Sequence, residues 1–410
     1  LQVPLDRADA LDALGKDVVE ALLLTGLAVE ESGRIRMRGR IVPAEGLLMS
    51  FDGFAGNDDP HGYVASYTPT ASWLAALTPR RRFGRALDIG TGSGAQALLA
   101  ARHSDEVIAT DLNPRAVAFT ALNAALNGID NLEVRLGSLF EPVAGETFDL
   151  ITCNAPYVVS PEDQWQYRDA PGFEADQLSQ TVVTGVPDHL NDDGFGCMLV
   201  SWLAESEEDP DVRVDQWLQD NGCDAWVIGL SGADALDHAA GWNEHLSGDP
   251  EAYGAALDRW TSYLEELGVG WVTEGAVLLH KRPGEVHMIR TDPVDEDELE
   301  YAGDQVERVF TALERVAGID DPVELLDERL ALVEHANIQQ SAGEEGATVI
   351  LEEGTWHEVE IDDETVDVLL ELDGRSTLAE ALDRARVPRR RSTLADVQEL
   401  LELGIVELRP

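Results

Sequence analysis

The chain has 410 residues and 44% hydrophobic content, more than one core usually organises, so two or three domains are expected. It carries 79 acidic against 29 basic residues, a formal net charge of -50, and its only lysines are Lys16 and Lys281. Such a chain repels nucleic acid at long range, while its apolar content argues against disorder.

No apolar run approaches the roughly 18 residues needed to cross a bilayer, and no charged-then-apolar leader opens the chain, so a soluble, cytoplasmic protein without membrane contact is expected. The three cysteines, Cys153, Cys197 and Cys223, have neither zinc-site nor redox-pair spacing, which fits a reducing compartment. Cys153 falls in a buried strand and reads as packing. An acid-rich, lysine-poor surface suits a protein working in high salt, where screening removes self-repulsion.

In chain order, residues 9–27 place Leu11, Leu14, Val18, Val19, Leu22 and Leu23 at helical spacing, and residues 33–42 alternate arginine with apolar residues as a half-buried strand does. These open a small N-terminal domain, residues 1–60. Strands at 86–89, 107–109, 132–135, 148–153, 195–202, 225–229 and 276–280 then alternate with helices at 95–101, 114–127 and 177–190. That order implies an α/β fold, a doubly wound, mostly parallel, seven-stranded Rossmann-like domain over residues 61–285. An acidic helical insertion with Trp242 and Trp260 occupies about 233–268 and is expected to cover the sheet's edge or its substrate mouth. The remainder, 286–410, begins with a helix at 306–316 and a polar loop at 339–347. Strands at 348–352, 356–361 and 405–408 with helices at 379–386 and 394–403 are compatible with a winged-helix-like domain from about 348.

The string LDIGTGSGAQALLAA sets Asp88, Gly90, Thr91, Gly92 and Gly94 between a strand and a helix. Glycines there allow the tight turn and close approach of a ligand, and the helix N-terminus offers unpaired N–H groups. The next strand ends in Asp111 and Leu112, where a carboxylate can accept both hydroxyls of an adenosine ribose. These features alone leave the cofactor open, because Gly90, Gly92 and Ala95 also satisfy a dinucleotide pattern. A buried turn carboxylate for Asp88 and a helix cap for Asp111 are the structural alternatives.

The fourth strand runs into Asn154, Ala155, Pro156 and Tyr157. In an open α/β sheet this tetrapeptide should face the same crevice as the glycine loop. A planar NH₂ group spreads its lone pair into its neighbour and attacks an electrophile poorly. The Asn154 side-chain oxygen and the backbone carbonyl that follows it can accept the two N–H hydrogens and turn the nitrogen, while Tyr157 can stack on the flat substrate.

With its DxGxGxG string, Asp111 and NAPY, the chain resembles class I S-adenosylmethionine-dependent methyltransferases. Within them it is similar to the N-methyltransferases with an (N/D)PP(Y/F) motif, the release-factor glutamine methyltransferases in particular. The resemblance covers roughly residues 63–202 and implies S-adenosylmethionine as cofactor. It implies catalytic roles for Asn154, Pro156 and Tyr157, and contacts to the cofactor from Tyr67, Thr68, Asp88, Gly90, Thr91, Gly92, Gly94, Asp111, Leu112, Ser138, Leu139 and Asn154. Two positions depart from the family: Ala155 replaces a proline, and Ser138 in GSLFEP replaces an aspartate.

The nine histidines form no HxxxH or HExxH arrangement, so no metal site is expected. Three function classes follow: methylation of a protein or peptide at a glutamine-like nitrogen, methylation of a guanine or adenine amine in RNA, and a binding module without turnover. Charge favours the protein substrate, because RNA affinity rests on phosphate neutralisation. Arg80, Arg81, Arg82 and Arg85, with Arg389, Arg390 and Arg391, are the sites at which local basic patches could form.

Overall fold

A computed structural model describes residues 4–24, 28–52, 62–154, 156–162, 164–165, 168–284, 286–295, 299–319, 321–340, 345–355 and 357–410. His61, Ala155, Trp356 and part of the expected 339–347 loop lie outside the described residues. The structure is mixed α/β and divides into two compact units: Leu1–Ser72 with Arg82–Glu146 and Thr152–Leu178, and Trp73–Arg81 with Thr147–Ile151 and Ser179–Pro410. No helix among the described residues is long and apolar enough to cross a membrane.

In the first unit, the single helix expected over 9–27 is two, Arg7–Leu14 and Lys16–Leu24, separated by Gly15 at φ +82°. The strand expected over 33–42 likewise splits into Arg34–Met37 and Gly39–Ala44, which belong to different hairpins. Each hairpin closes through two residues with positive φ, Ser32-Gly33 and Glu45-Gly46, the turn whose twist matches paired strands.

Helix α1 (Pro69–Leu77) precedes β1 (Phe83–Ile89), α2 (Ala95–Ala100), β2 (Ser104–Asp111), α3 (Pro114–Leu126) and β3 (Leu132–Leu136). Strands β1, β2 and β3 pair in parallel, Leu87 opposite Ile108 and Val107 opposite Leu132. Val107, Ile108 and Ala109 are all buried, the continuous apolar run of a parallel strand covered on both faces. Strand β4 (Phe148–Cys153) follows.

In the second unit, α4 (Gln177–His189) leads into β5 (Leu190–Ala204), and β6 (Cys223–Asp234) is followed by α5 (Ala235–Trp242), α6 (Pro250–Glu266), β7 (Trp271–Lys281) and β8 (Ile289–Pro293). The sheet is parallel-rich, as expected, with β7 departing from that pattern: it runs antiparallel to both β5 and β6. The reason lies in the insertion. Asp234 at the end of β6 pairs with Trp271 at the start of β7, so α5 and α6 form the loop of an enlarged β-hairpin, whose strands must run in opposite directions. Strand β8, parallel to β6, was not expected from sequence. Gly275 is required where β7 passes β6, since a Cβ there would lie 2.2 Å from Ile228 O and 2.7 Å from Trp202. Lys281, one of the two lysines, donates to Pro187 O (2.7 Å) and Leu190 O (3.0 Å), satisfying carbonyls at the C-terminal end of α4.

Beyond β8, Gly303–Val316 is a helix whose Ala312 and Val316 pack into an apolar core with Leu325, Leu330, Leu382, Leu394 and Ile405. Strands Ala347–Leu351, Glu358–Ile361 and Val406–Arg409 and helices Leu378–Ala385 and Arg391–Glu402 occupy the expected region. Helix Asp363–Leu369 and strands Arg329–Leu332, Ala336–Gln339 and Asp373–Thr377 are additional, each too short to leave a clear period in the sequence.

Candidate active site

The C-terminal ends of β1, β2 and β4 supply the polar groups of the site. β1 delivers Asp88, which is buried, to the root of the glycine loop. Its Oδ2 accepts from Thr91 Oγ1 (2.6 Å) and the Ala97 N–H (3.2 Å), and its Oδ1 from Thr152 Oγ1 on β4 (2.9 Å). Burial pushes the Asp88 carboxyl up to about 6, against the pull of those donors and with a further push from Asp111. The carboxylate is thus engaged by the loop, by α2 and by β4.

The loop rises through Gly90, Gly92 and Gly94 at φ +66°, +57° and +89°. At Gly94 the chain also passes close to α3: a Cβ would sit 2.9 Å from Thr120 Cγ2, so glycine alone fits. Thr91 N–H donates to Thr110 O (3.0 Å), which fastens the loop to β2. Two groups that sequence reasoning missed brace it from α3. Thr120 Oγ1 donates to Gly92 O (3.1 Å), and the buried Asn123 amide donates to Ser93 O (2.7 Å) and Ser50 O (2.9 Å). Asn and Thr inside a helix carry no sequence signal of such a role; only the return of α3 beneath the loop shows it.

Asp111 closes β2, half-buried, with Oδ2 accepting the Gly92 N–H and Oδ1 the Asn113 N–H, both at 2.8 Å. Capping of α3 falls to Asn113, whose side chain accepts from the Arg115 N–H (2.9 Å). Leu112, next to Asp111, is exposed. Ser138 and Leu139, both half-buried, are drawn to this strand end: Gly137 N–H donates to Asp111 O (2.9 Å) and Thr110 Oγ1 to Leu139 O (3.2 Å).

Thr152 and Asn154 are two residues apart along β4 and its end, the spacing that puts side chains on one face. The Thr152 bond to Asp88 therefore brings the asparagine-bearing end of β4 beside the root of the glycine loop. Asn154 Nδ2 donates to Thr70 Oγ1 (3.4 Å), and Thr70 Oγ1 lies 2.8 Å from Thr68 Oγ1. Thr68 also caps α1, accepting the Ala71 N–H (3.3 Å), while half-buried Tyr67 packs against the Leu47, Met49 and Leu98 cluster. Gln96 Nε2 donates to Ala71 O (2.7 Å) and ties α2 to the start of α1. Pro156 and Tyr157 are half-buried.

All three cysteines are buried, and burial pushes the Cys197 and Cys223 thiols up to about 12, out of nucleophilic range at neutral pH. Among the described residues no group of three or more His, Cys, Asp or Glu is arranged to hold a metal ion.

A loop of three glycines after β1, an acidic residue ending β2 and an asparagine just after β4 thus lie at the C-terminal ends of their strands, and residues 68–169 match the family described as Methyltransferase small domain. The chain resembles the class I S-adenosylmethionine-dependent methyltransferases. It is 33% identical over 129 residues to the release factor glutamine methyltransferase of Xylella fastidiosa, covering 29% of this chain and 47% of that protein. It is 32% identical over 147 residues to the ribosomal protein uL3 glutamine methyltransferase of Xanthomonas campestris, covering 33% of this chain and 46% of that protein. With the uL3 glutamine methyltransferase of Bordetella pertussis it shares 35% identity over 211 residues, 47% of this chain and 64% of that one. The chain spans about half the length of the curated relatives it matches first.

Proposed function

We propose that this protein transfers a methyl group from S-adenosylmethionine to a planar amide nitrogen of a protein or peptide, a glutamine side chain being the simplest acceptor. The observation that carries the reading is the Thr152–Asp88 bond, which sets the end of β4 against the glycine loop. The donor set fits the cofactor. Each Asp111 oxygen accepts a backbone N–H, a carboxylate at a strand end is the group that suits ribose hydroxyls, and a Cβ at Gly92 would meet nothing within 4 Å, so the backbone is open to close approach.

In this reading Gly90, Thr91, Gly92 and Gly94 carry the amino-acid end of the cofactor, Asp111 its ribose, and Leu112, Ser138 and Leu139 its base. Tyr67 and Thr68 line the entrance, and Asp88 meets the cofactor from the root of the loop that it also shapes. When bound, S-adenosylmethionine supplies an electrophilic methyl group on a sulfonium. Asn154 Oδ1 accepts an N–H of the acceptor amide and turns the nitrogen, its own Nδ2 being steadied by Thr70. Pro156 stiffens the turn and Tyr157 stacks on the amide plane. Orientation of this kind contributes on the order of several kcal/mol to barrier lowering without a dedicated base.

RNA is the second reading. Of the arginines that could hold phosphate, Arg80 donates to Ala75 O (3.3 Å) and the other six are paired with carboxylates. Arg81 pairs with Asp193 (2.8 Å), Arg82 with Asp105, Arg85 with Glu106 and Glu146 (both 2.7 Å), Arg389 with Asp383 (3.4 Å), Arg390 with Glu364 (3.0 Å) and Arg391 with Asp321 (3.1 Å). Phosphate binding needs cations free to replace counterions, so this pairing supports the protein reading. We assign the methyltransferase segment to residues 61–285 and give the winged-helix-like segment from about 348 the task of gripping substrate. The test is transfer of radiolabelled methyl from S-adenosylmethionine into fractionated lysate. Label removed by protease and resistant to ribonuclease is the expected result; the opposite pattern overturns the choice of acceptor.

A further inference from the structure

Thr152 belongs to neither motif, yet its hydroxyl is buried where β4 meets the root of the glycine loop. Its proton has two acceptors within reach, Asp88 Oδ1 at 2.9 Å and Leu87 O at 3.4 Å, and the shorter contact is to the charged group. Through the other oxygen the same carboxylate holds Thr91 in the loop and the Ala97 N–H in the first turn of α2. One carboxylate therefore gathers three segments, and Thr152 is the member that brings in the strand carrying Asn154.

We propose that Thr152 is a positioning residue, whose hydroxyl locks the asparagine end of β4 to the glycine loop so that the acceptor site and the cofactor loop hold one geometry. This deepens the methyltransferase reading and rests on it. A valine of the same shape would keep the packing and leave Asp88 Oδ1 buried without its donor, a penalty that falls on the ionised form.

The groups facing Asp88 are few: the Thr91 hydroxyl from the loop, the Ala97 N–H from α2, the Thr152 hydroxyl from β4, and the Asp111 carboxylate from β2 as the charged neighbour. Thr91, Thr152 and Ala97 draw the Asp88 carboxyl down, while burial and Asp111 raise it. Loss of the Thr152 hydroxyl therefore raises it further, from about 6 toward neutrality. A carboxyl raised in the folded chain binds its proton more tightly there than in the unfolded chain. Its ionisation thus lowers stability as pH climbs from the unfolded value to the folded one, and the effect is level above that. In Thr152→Val the fall extends to higher pH than in wild type. A neutral Asp88 also loses its charge-assisted hold on Thr91 and Ala97, which loosens the loop.

Two measurements on the full chain test this. Calorimetric titration with S-adenosylhomocysteine across pH should show affinity falling on the acid side of about 6 in wild type. For Thr152→Val the fall should begin at higher pH, with binding about tenfold weaker near neutrality. Thr152→Ser, which keeps the hydroxyl, should restore the wild-type profile. Thermal melting without ligand should give a difference between wild type and Thr152→Val that widens from about pH 5 to about pH 8. If the valine variant does not fold, Thr152→Ala removes the hydroxyl with less bulk and replaces it in both arms. Profiles for the hydroxyl-free variant that coincide with wild type in both arms overturn the proposal. Absence of S-adenosylhomocysteine binding by wild type would instead overturn the methyltransferase reading, and melting would still decide the role of Thr152.

Discussion

Strands β1, β2 and β4 end in buried or half-buried polar groups that bond to the glycine loop or to each other, whereas β5, β6 and β7 are filled with apolar bulk and hold a buried ion pair of their own. Trp202, Trp226, Val277 and Leu278 are wholly buried, and Asp224 on β6 is matched by Arg282, Nη2 to Oδ1 3.0 Å, with the Met288 N–H on the same oxygen at 2.7 Å. At the ends of β1 and β2 the comparable groups hold loops: Asp88 holds Thr91, and Asp111 holds Gly92. The difference teaches where a polar group works between strands and where it shapes a loop, the loop to which the proposed function assigns a ligand. In one region its partners belong to the strands and their immediate continuation, in the other they include the turn of the glycine loop.

The sharpest way to break this comparison is Arg282→Ala. It leaves Asp224 buried and without its partner, and should cost about 3–5 kcal/mol of stability in urea unfolding while the surviving folded fraction binds cofactor as wild type does. A loss of affinity in that folded fraction would show that the two regions are not separable. Asn154→Ala should do the reverse, lowering methyl transfer by about 10²–10³-fold in a radiolabel assay with melting temperature and cofactor affinity nearly unchanged. On the proposed function, Asp111→Ala should weaken cofactor binding by about 2–3 kcal/mol in calorimetry, since the charge-assisted bonds that reading gives to the ribose would be lost together with the hold on Gly92. Smallest and most diffuse is salt. If the -50 charge is an adaptation to high salt, melting temperature rises from low to molar salt, and a flat or falling curve removes that explanation.

Much of the candidate site is legible in the amino-acid sequence. Glycines between a strand and a helix, an acid at the end of the next strand and Asn154 after the fourth are local facts, because each element's own period and turn chemistry marks where it stops. The supports are not legible there. Thr120 and Asn123 look like ordinary polar positions of a helix, and Thr152 like a strand residue, until the chain returns and sets them against Gly92, Ser93 and Asp88.

By itself the sequence determined the alternation of β1 to β4 with their helices and the chemistry at their ends, since apolar period, glycine and helix caps act within a few residues. Only the tertiary structure decided that β7 runs antiparallel, that β8 joins β6, and that one carboxylate gathers Thr91, Ala97 and Thr152. Those outcomes depend on which distant segments meet, and a short strand or a single hydroxyl carries no periodic trace of its partner.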